Sequence, residues 1–241
     1  MNKPKLYDFS IKPGCRAIEF APWHGELGWE VMSWAPFCRK TALDYDRVIV
    51  GSFEGMGPLY DDFATEFRPH DKTGRGLDYP KMYRPDGIYH KYGRPENATI
   101  VQDVLVHARG ISRKNSINYR QWPELVRQFT VLPETLGFIG SRLDQYVPGC
   151  FDSRGIELQK LMDRMARAKL VVGVSSGIMH LAAACGTNIV VWGDRRTYFN
   201  ETLEQRYKIT WNPFNVKVGW LTADDWQPEP KEIIKKIREM L

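Results

Sequence analysis

The stretch LVVGVSSGIMHLAAACGTNIVVWG, residues 170–193, decides the fold. Leu170–Val174 is an apolar, β-branched run of strand length, interrupted by Ser175-Ser176-Gly177. Ile178–Cys185 is small and apolar at helix length, and Asn188–Trp192 is a second β-branched run. Strand, tight turn, helix and strand in so short a span form the βαβ unit of a parallel sheet. The alternation continues upstream. Ile100, Val101, Val104, Leu105 and Val106 predict a strand ending at His107-Ala108-Arg109. Trp122-Pro123 opens a helix running to Phe129, since proline suits the first helical turn. Leu136–Ile139 reads as a strand closed by Gly140, and Leu158, Leu161, Met162, Met165 and Ala168 share one helix face. Downstream, Pro230 opens a helix whose Ile233, Ile234, Ile237 and Met240 lie together.

The first fifty residues repeat the theme. Arg16–Phe20 predicts a strand, and Val31, Met32, Trp34, Ala35, Cys38 and Ala42 a helix that Pro36 should kink. Arg47–Gly51 predicts a second buried strand. From Gly51 to Pro95 the pattern breaks. Five prolines (Pro58, Pro69, Pro80, Pro85, Pro95) forbid a long helix, leaving a short helix at Leu59–Glu66 within irregular surface.

Composition narrows the classes. With 43% apolar and 26% charged residues the chain reads as globular rather than disordered. No run approaches the ~18–20 apolar residues of a membrane span, and the start lacks a secretory apolar region. A cytoplasmic protein is expected. Lys and Arg exceed Asp and Glu by 34 to 29, a mild bias toward anionic ligands. The four cysteines form no CxxC pair and the five histidines no HExxH, so neither a metal site nor a cofactor is expected.

Three segments could carry chemistry. Ser175 or Ser176 can cap the helix that follows them, whose N–H groups and positive dipole end make an anion site. Gly177 would let a phosphate approach the backbone, and His180 sits on the first helical turn. Next comes a basic loop after the strand at His107, holding Arg109, Arg113, Lys114 and Arg120 with only Glu124 against them. The third is Pro22-Trp23-His24-Gly25-Glu26-Leu27-Gly28-Trp29-Glu30, a glycine-rich loop with two carboxylates opening onto a helix.

These segments resemble the heptosyltransferase-type glycosyltransferases, family 9 of the GT-B superfold. Ser176, Gly177, Met179, His180, Leu181, Ala182, Ala183, Gly186 and Thr187 follow that family's GNDSGPMHLAAALGTP pattern, and Trp192-Gly193 stands for its FG. Ser175 replaces the family's acidic residue, which leaves the donor unassigned. Arg120, two positions before Trp122-Pro123, also fits, and Gly25-Glu26 is similar to the family's Gly-Asp loop. The resemblance implies an α/β, GT-B-like fold of two Rossmann-like lobes with a reduced N-terminal lobe. Residues 1–95 would form that acceptor-side lobe, 96–225 the nucleotide-sugar donor lobe, and 226–241 a C-terminal helix.

It further implies metal-independent, inverting transfer from a nucleotide-diphosphate sugar to a hydroxyl. Arg109, Arg113, Lys114, Arg120, Ser175, Ser176, Gly177, His180, Trp192 and Asp194 would hold the donor. Glu26 or Glu30 would be the base; counting from the strand favours Glu26, counting back from Pro36 favours Glu30. His24 would assist, and Trp23, Trp29, Tyr83 and Arg84 would meet the acceptor. On the resemblance that acceptor is a glycan such as lipopolysaccharide, with peripheral membrane association. Lys72, Arg75, Lys81, Arg84, Lys91 and Arg94, interleaved with Tyr79, Tyr83, Tyr89 and Tyr92, suit instead a hydroxylated base in DNA, as in phage modification. The oligomeric state is left open. A non-catalytic nucleotide-sugar-binding module and a nucleotide-sugar epimerase or hydrolase are the alternatives.

Overall fold

A computed structural model describes residues 15–70, 87–92, 102–110, 118–129, 135–148, 150–196 and 201–241. Two parallel sheets organise them. The first has three strands in the order β1-β2-β3, with β1 at Ala17–Glu19, β2 at Arg47–Phe53 and β3 at Glu66–His70. Between β1 and β2 one helical rod runs from α1 (Leu27–Trp29) through a π-helical segment (Glu30–Trp34) into α2 (Ala35–Ala42).

The expected kink at Pro36 takes the form of that π segment. Proline has no N–H for the carbonyl one turn back, and a widened turn absorbs the loss. The bypassed Met32 carbonyl instead accepts the Tyr89 hydroxyl at 3.1 Å. The helix expected at Leu59–Glu66 is absent. Only Gly57–Leu59 makes a helical turn, because Thr65 docks on β2: its N–H reaches the Val48 carbonyl, and its Oγ1 accepts the Val48 N–H, both at 2.9 Å. That contact draws the chain into the register of β3.

The second sheet is built from β4 (Gln102–His107), β5 (Leu136–Gly140), β6 (Phe151–Arg154), β7 (Ala168–Val174), β8 (Asn188–Asp194) and β9 (Val218–Ala223). Their spatial order is β6-β5-β4-β7-β8-β9, with every pair parallel. This is the doubly wound order that reverses between its first and fourth strands, here β4 and β7. Both sheet faces are covered, which is why the central strands read as unbroken apolar runs. On one face lie α3 (Trp122–Phe129) and α7 (Pro230–Met240), packed with Val104, Val106, Val172, Val190 and Trp192. On the other lie α4 (Leu158–Ala166), α5 (Gly177–Ala184) and α6 (Leu203–Ile209), packed with Leu105, Val171, Ile189 and Val191.

That second core continues into the helix of the first sheet through Val31, Met32, Ala35 and Cys38. Residues 87–92 reinforce the junction: the Tyr92 N–H donates to the Ala184 carbonyl at 2.9 Å, and Tyr89 stands edge-on to Phe214. Among the described residues no helix is long and apolar enough to cross a membrane.

Candidate active site

Open parallel sheets bind ligands where the strand order reverses, beyond the C-terminal strand ends. At that place His107 closes β4, Ser175-Ser176 follow β7, and α5 begins. Ser176 is the N-cap residue of α5 in extended conformation (φ −161°, ψ 170°), yet neither serine caps the helix with its side chain. Ser176 Oγ lies 3.2 Å from His107 Nδ1, and Ser175 Oγ 3.2 Å from the Tyr207 hydroxyl. The expectation of a serine cap is thereby corrected. Both hydroxyls are drawn sideways, away from the first N–H groups of the helix.

Gly177 also has a different reason for its glycine. A Cβ there would meet Gly28 N at 2.8 Å and Leu27 Cβ at 3.3 Å. The residue is small because α1 crosses the start of α5, with Gly28 packed against it. The glutamate loop is thereby brought to the start of α5. Gly177→Ala should cost about 1–3 kcal/mol by overpacking and lower the melting temperature by roughly 3–10 °C. Gly57→Ala, whose Cβ would find nothing nearer than 3.5 Å, should shift it by less than about 2 °C. Equal melting of the two variants would contradict this packing.

His180 is corrected from an open ligand to a mostly enclosed one. It is 8% exposed, stacked on Tyr207 and edge-on to Trp211, with Cδ2 beneath Gly28. Burial pushes its pKa down to about 4, so it is neutral at physiological pH. One ring nitrogen shares a backbone hydrogen bond with Trp211, and Nδ1 has no partner.

The two carboxylates of the loop separate clearly. Glu26 is the N-cap residue of α1, half-buried, and does not cap its own helix. It thus stands at the lip of the junction, two residues from the Gly28–Gly177 contact. Glu30 is sealed inside at 1% exposure. Its Oε1 accepts the Tyr60 hydroxyl at 2.6 Å and the Ser52 hydroxyl. Burial raises its pKa to about 7 against the opposing pull of those two donors. The His24 ring lies 4.4 Å from that of His70 and edge-on to Phe53.

Of the expected cations, Arg109 is half-buried, its Nε donating to Asn118 Oδ1 at 3.1 Å and its guanidinium over the Trp226 ring. Arg120 is exposed at the start of α3, and its backbone N–H donates to Gln227 Oε1 at 2.9 Å. Arg113, Lys114, Tyr83 and Arg84 lie outside the described residues. Asp194 ends β8 and is engaged by Arg196, whose hydrogen bonds hold its carboxyl below the usual range. Two aromatic expectations are corrected. Trp192 is fully buried between Tyr119 and Trp122, and Trp23 is 2% exposed and stacked on Trp34. Their rings are core rather than ligand surface, whereas Trp29 is half-buried on α1. Among the described residues no three His, Cys, Asp or Glu side chains come together to hold a metal ion.

Sequence reasoning missed His107 and Asp144. The His107 ring is buried, and its Nε2 faces Asp144 Oδ2 at 3.5 Å. A hollow of about 300 Å³ lies at the opposite end of β7 and β8, beside Lys169, Gly186, Asn188 and Leu241. It sits at the wrong end of the strands for a ligand of this sheet, and Lys169 is already paired with Asp103.

Residues 155–219, which contain the turn and α5, match the family described as Glycosyltransferase family 9 (heptosyltransferase). The chain superposes on the structure of E. coli ADP-heptose lipopolysaccharide heptosyltransferase II with a TM-score of 0.61. Identity there is 12%, covering 93% of this chain and 98% of that one. The fold is that of a GT-B glycosyltransferase. The heptosyltransferase TibC in complex with ADP-D-β-D-heptose gives a TM-score of 0.58 at 15% identity, covering 93% of this chain and 78% of that one. TibC from enterotoxigenic E. coli H10407, described as iron-containing and dodecameric, gives 0.51 at 17%, covering 74% and 59%. None of the curated proteins matches the chain in sequence. The likeness extends over both parallel sheets, since 93% of this chain is covered.

Proposed function

We propose that this protein transfers a sugar from a nucleotide-diphosphate donor to a hydroxyl acceptor, with Glu26 as the general base. The observation that carries the reading is the strand-order reversal itself. An uncapped helix start, two serine hydroxyls and a half-buried carboxylate loop converge there, inside the segment that matches the glycosyltransferase family.

The donor diphosphate would rest against the first N–H groups of α5 and the Ser176 hydroxyl, with Arg109 and Arg120 on its other side. Glu26 takes the acceptor proton as the acceptor oxygen bonds to the anomeric carbon from the face opposite the leaving group. The old carbon–oxygen bond breaks, and its electron pair departs on the diphosphate. Helix dipole and guanidinium groups stabilise that charge, so the step needs no metal. The half-buried Glu26 can reach a bound hydroxyl, whereas the sealed Glu30 cannot do so in this conformation.

The likeness to ADP-heptose enzymes makes ADP-linked sugars the first donors to test, with glycans as acceptors and a cytoplasmic setting. At 100-fold over Kd a donor should stabilise the fold by about 2.7 kcal/mol, roughly 5–10 °C for a chain of this size. A panel of ADP-, UDP-, GDP- and dTDP-sugars should give such a shift, with nucleoside diphosphate released only when an acceptor is added. Release without acceptor would indicate a hydrolase or epimerase, and a shift without any release a binding module. A DNA acceptor requires binding that weakens steeply with salt.

A further inference from the structure

We propose that His107, held by Asp144, sets the direction of the Ser176 hydroxyl, so that a diphosphate occupying the site draws one proton onto the imidazole. The inference rests on the donor reading above and names a positioning residue for it.

Three side chains form a line across the junction of β5, β4 and β7. Asp144 accepts the Gly110 N–H at 2.9 Å on Oδ1, and the Ser141 N–H at 2.6 Å and hydroxyl at 3.0 Å on Oδ2. Burial pushes its pKa up, but the His107 contact and these bonds outweigh it and hold the pKa at about 2, so it is a carboxylate at any working pH. A carboxylate facing Nε2 keeps a proton on that nitrogen. Nδ1 then faces Ser176 Oγ at 3.2 Å.

Two arrangements follow from the donor inventory of imidazole and hydroxyl. With a neutral ring, Nδ1 is a lone pair and takes the serine proton, so the hydroxyl turns its lone pairs outward and repels a phosphate oxygen. With a charged ring, Nδ1–H donates to Oγ and the serine proton is free for the phosphate. The added proton comes from solvent and places a positive charge beneath the anion.

The line is sterically built. A Cβ at Gly140 would meet Asp144 Oδ2 at 2.4 Å and His107 Cδ2 at 3.0 Å, and one at Gly173 would meet His107 Cβ at 3.2 Å. Among the described residues the charged groups around the ring are few. Asp144 comes from the loop after β5, and Arg154 of β6 donates to the Asp144 carbonyl at 2.6 Å. From the β7 and α5 sides Gly173 and Ser176 lie against it. On the first turn of the same helix, His180 Nδ1 has no hydrogen-bond partner.

Gly173-Val174-Ser175-Ser176-Gly177 spells GxSxG, the turn of acyl-transfer nucleophiles. The serine on the imidazole is Ser176 rather than the motif's Ser175, and its backbone is extended rather than strained.

Calorimetry with the nucleotide sugar that gives the largest melting shift tests this, because its diphosphate has no group titrating near neutrality. Titrations near pH 7.5 in two buffers of different ionisation enthalpy should show net proton uptake, and wild-type affinity should fall by about tenfold or more between pH 6 and 8. His107→Asn keeps a hydrogen-bonding nitrogen near Nδ1 but cannot titrate. It should bind with no uptake and no such pH dependence, and Ser176→Ala should also abolish uptake. Wild-type binding without uptake, or uptake surviving in His107→Asn, overturns the proposal and leaves the donor reading standing. Absence of any nucleotide-sugar binding to the wild type overturns both.

Discussion

Glu26→Gln is expected to lower the turnover number for sugar transfer by about 10²–10⁴-fold, the usual contribution of a positioned general base. Its melting temperature and donor affinity should stay close to wild type. An amide of the same shape keeps the packing of this half-buried N-cap residue. The loss should fall on kcat rather than KM, because the missing interaction is made only as the proton moves. Steady-state kinetics with donor and acceptor varied separately decide the matter. Full transfer by Glu26→Gln would move the base elsewhere, with Glu30 the next residue to test.

Glu30→Gln should act on stability. A carboxyl whose pKa is raised to about 7 when folded, against 4.5 in the unfolded chain, binds its proton more tightly in the native state. Its contribution is therefore fully present below about pH 4.5, is lost as pH rises, and is gone above about pH 7. Those two values correspond to about 3 kcal/mol. Glutamine can still accept the Tyr60 and Ser52 hydroxyls through its carbonyl, and it does not titrate. The melting temperature of the variant relative to wild type should thus rise by roughly 6–12 °C between pH 4.5 and 8. A difference that stays flat across this window would mean that the buried carboxyl is not held protonated.

The central βαβ units were legible because buried parallel strands are continuous apolar runs, and β4, β7 and β8 lie where those runs predicted. The edge strands were not. Phe151–Arg154 is polar and only four residues long, and Glu66–His70 contains Pro69. An edge strand tolerates both, since it needs neither two buried faces nor two full hydrogen-bonding sides.

The site was legible in part for the same reason. Ser176 and Gly177 share one local stretch, whereas His107 and Asp144 are separated from Ser176 by 69 and 32 positions and meet it only through strand order. Trp192 was misread for want of face parity. It shares a face with Val190, on the side covered by α3 and α7, while Ile189 and Val191 face the other layer. Gly177 was assigned to a phosphate when Gly28 is what it accommodates, a contact between helices about 150 residues apart that no local pattern encodes.

The most direct test of the whole account is a crystal structure of the protein with a bound nucleoside diphosphate or nucleotide sugar. The diphosphate should lie at the reversal between β4 and β7, within hydrogen-bonding distance of Ser176 Oγ and the first N–H groups of α5. A diphosphate bound elsewhere, such as the hollow beside Lys169 and Asn188 at the far end of the strands, would contradict it.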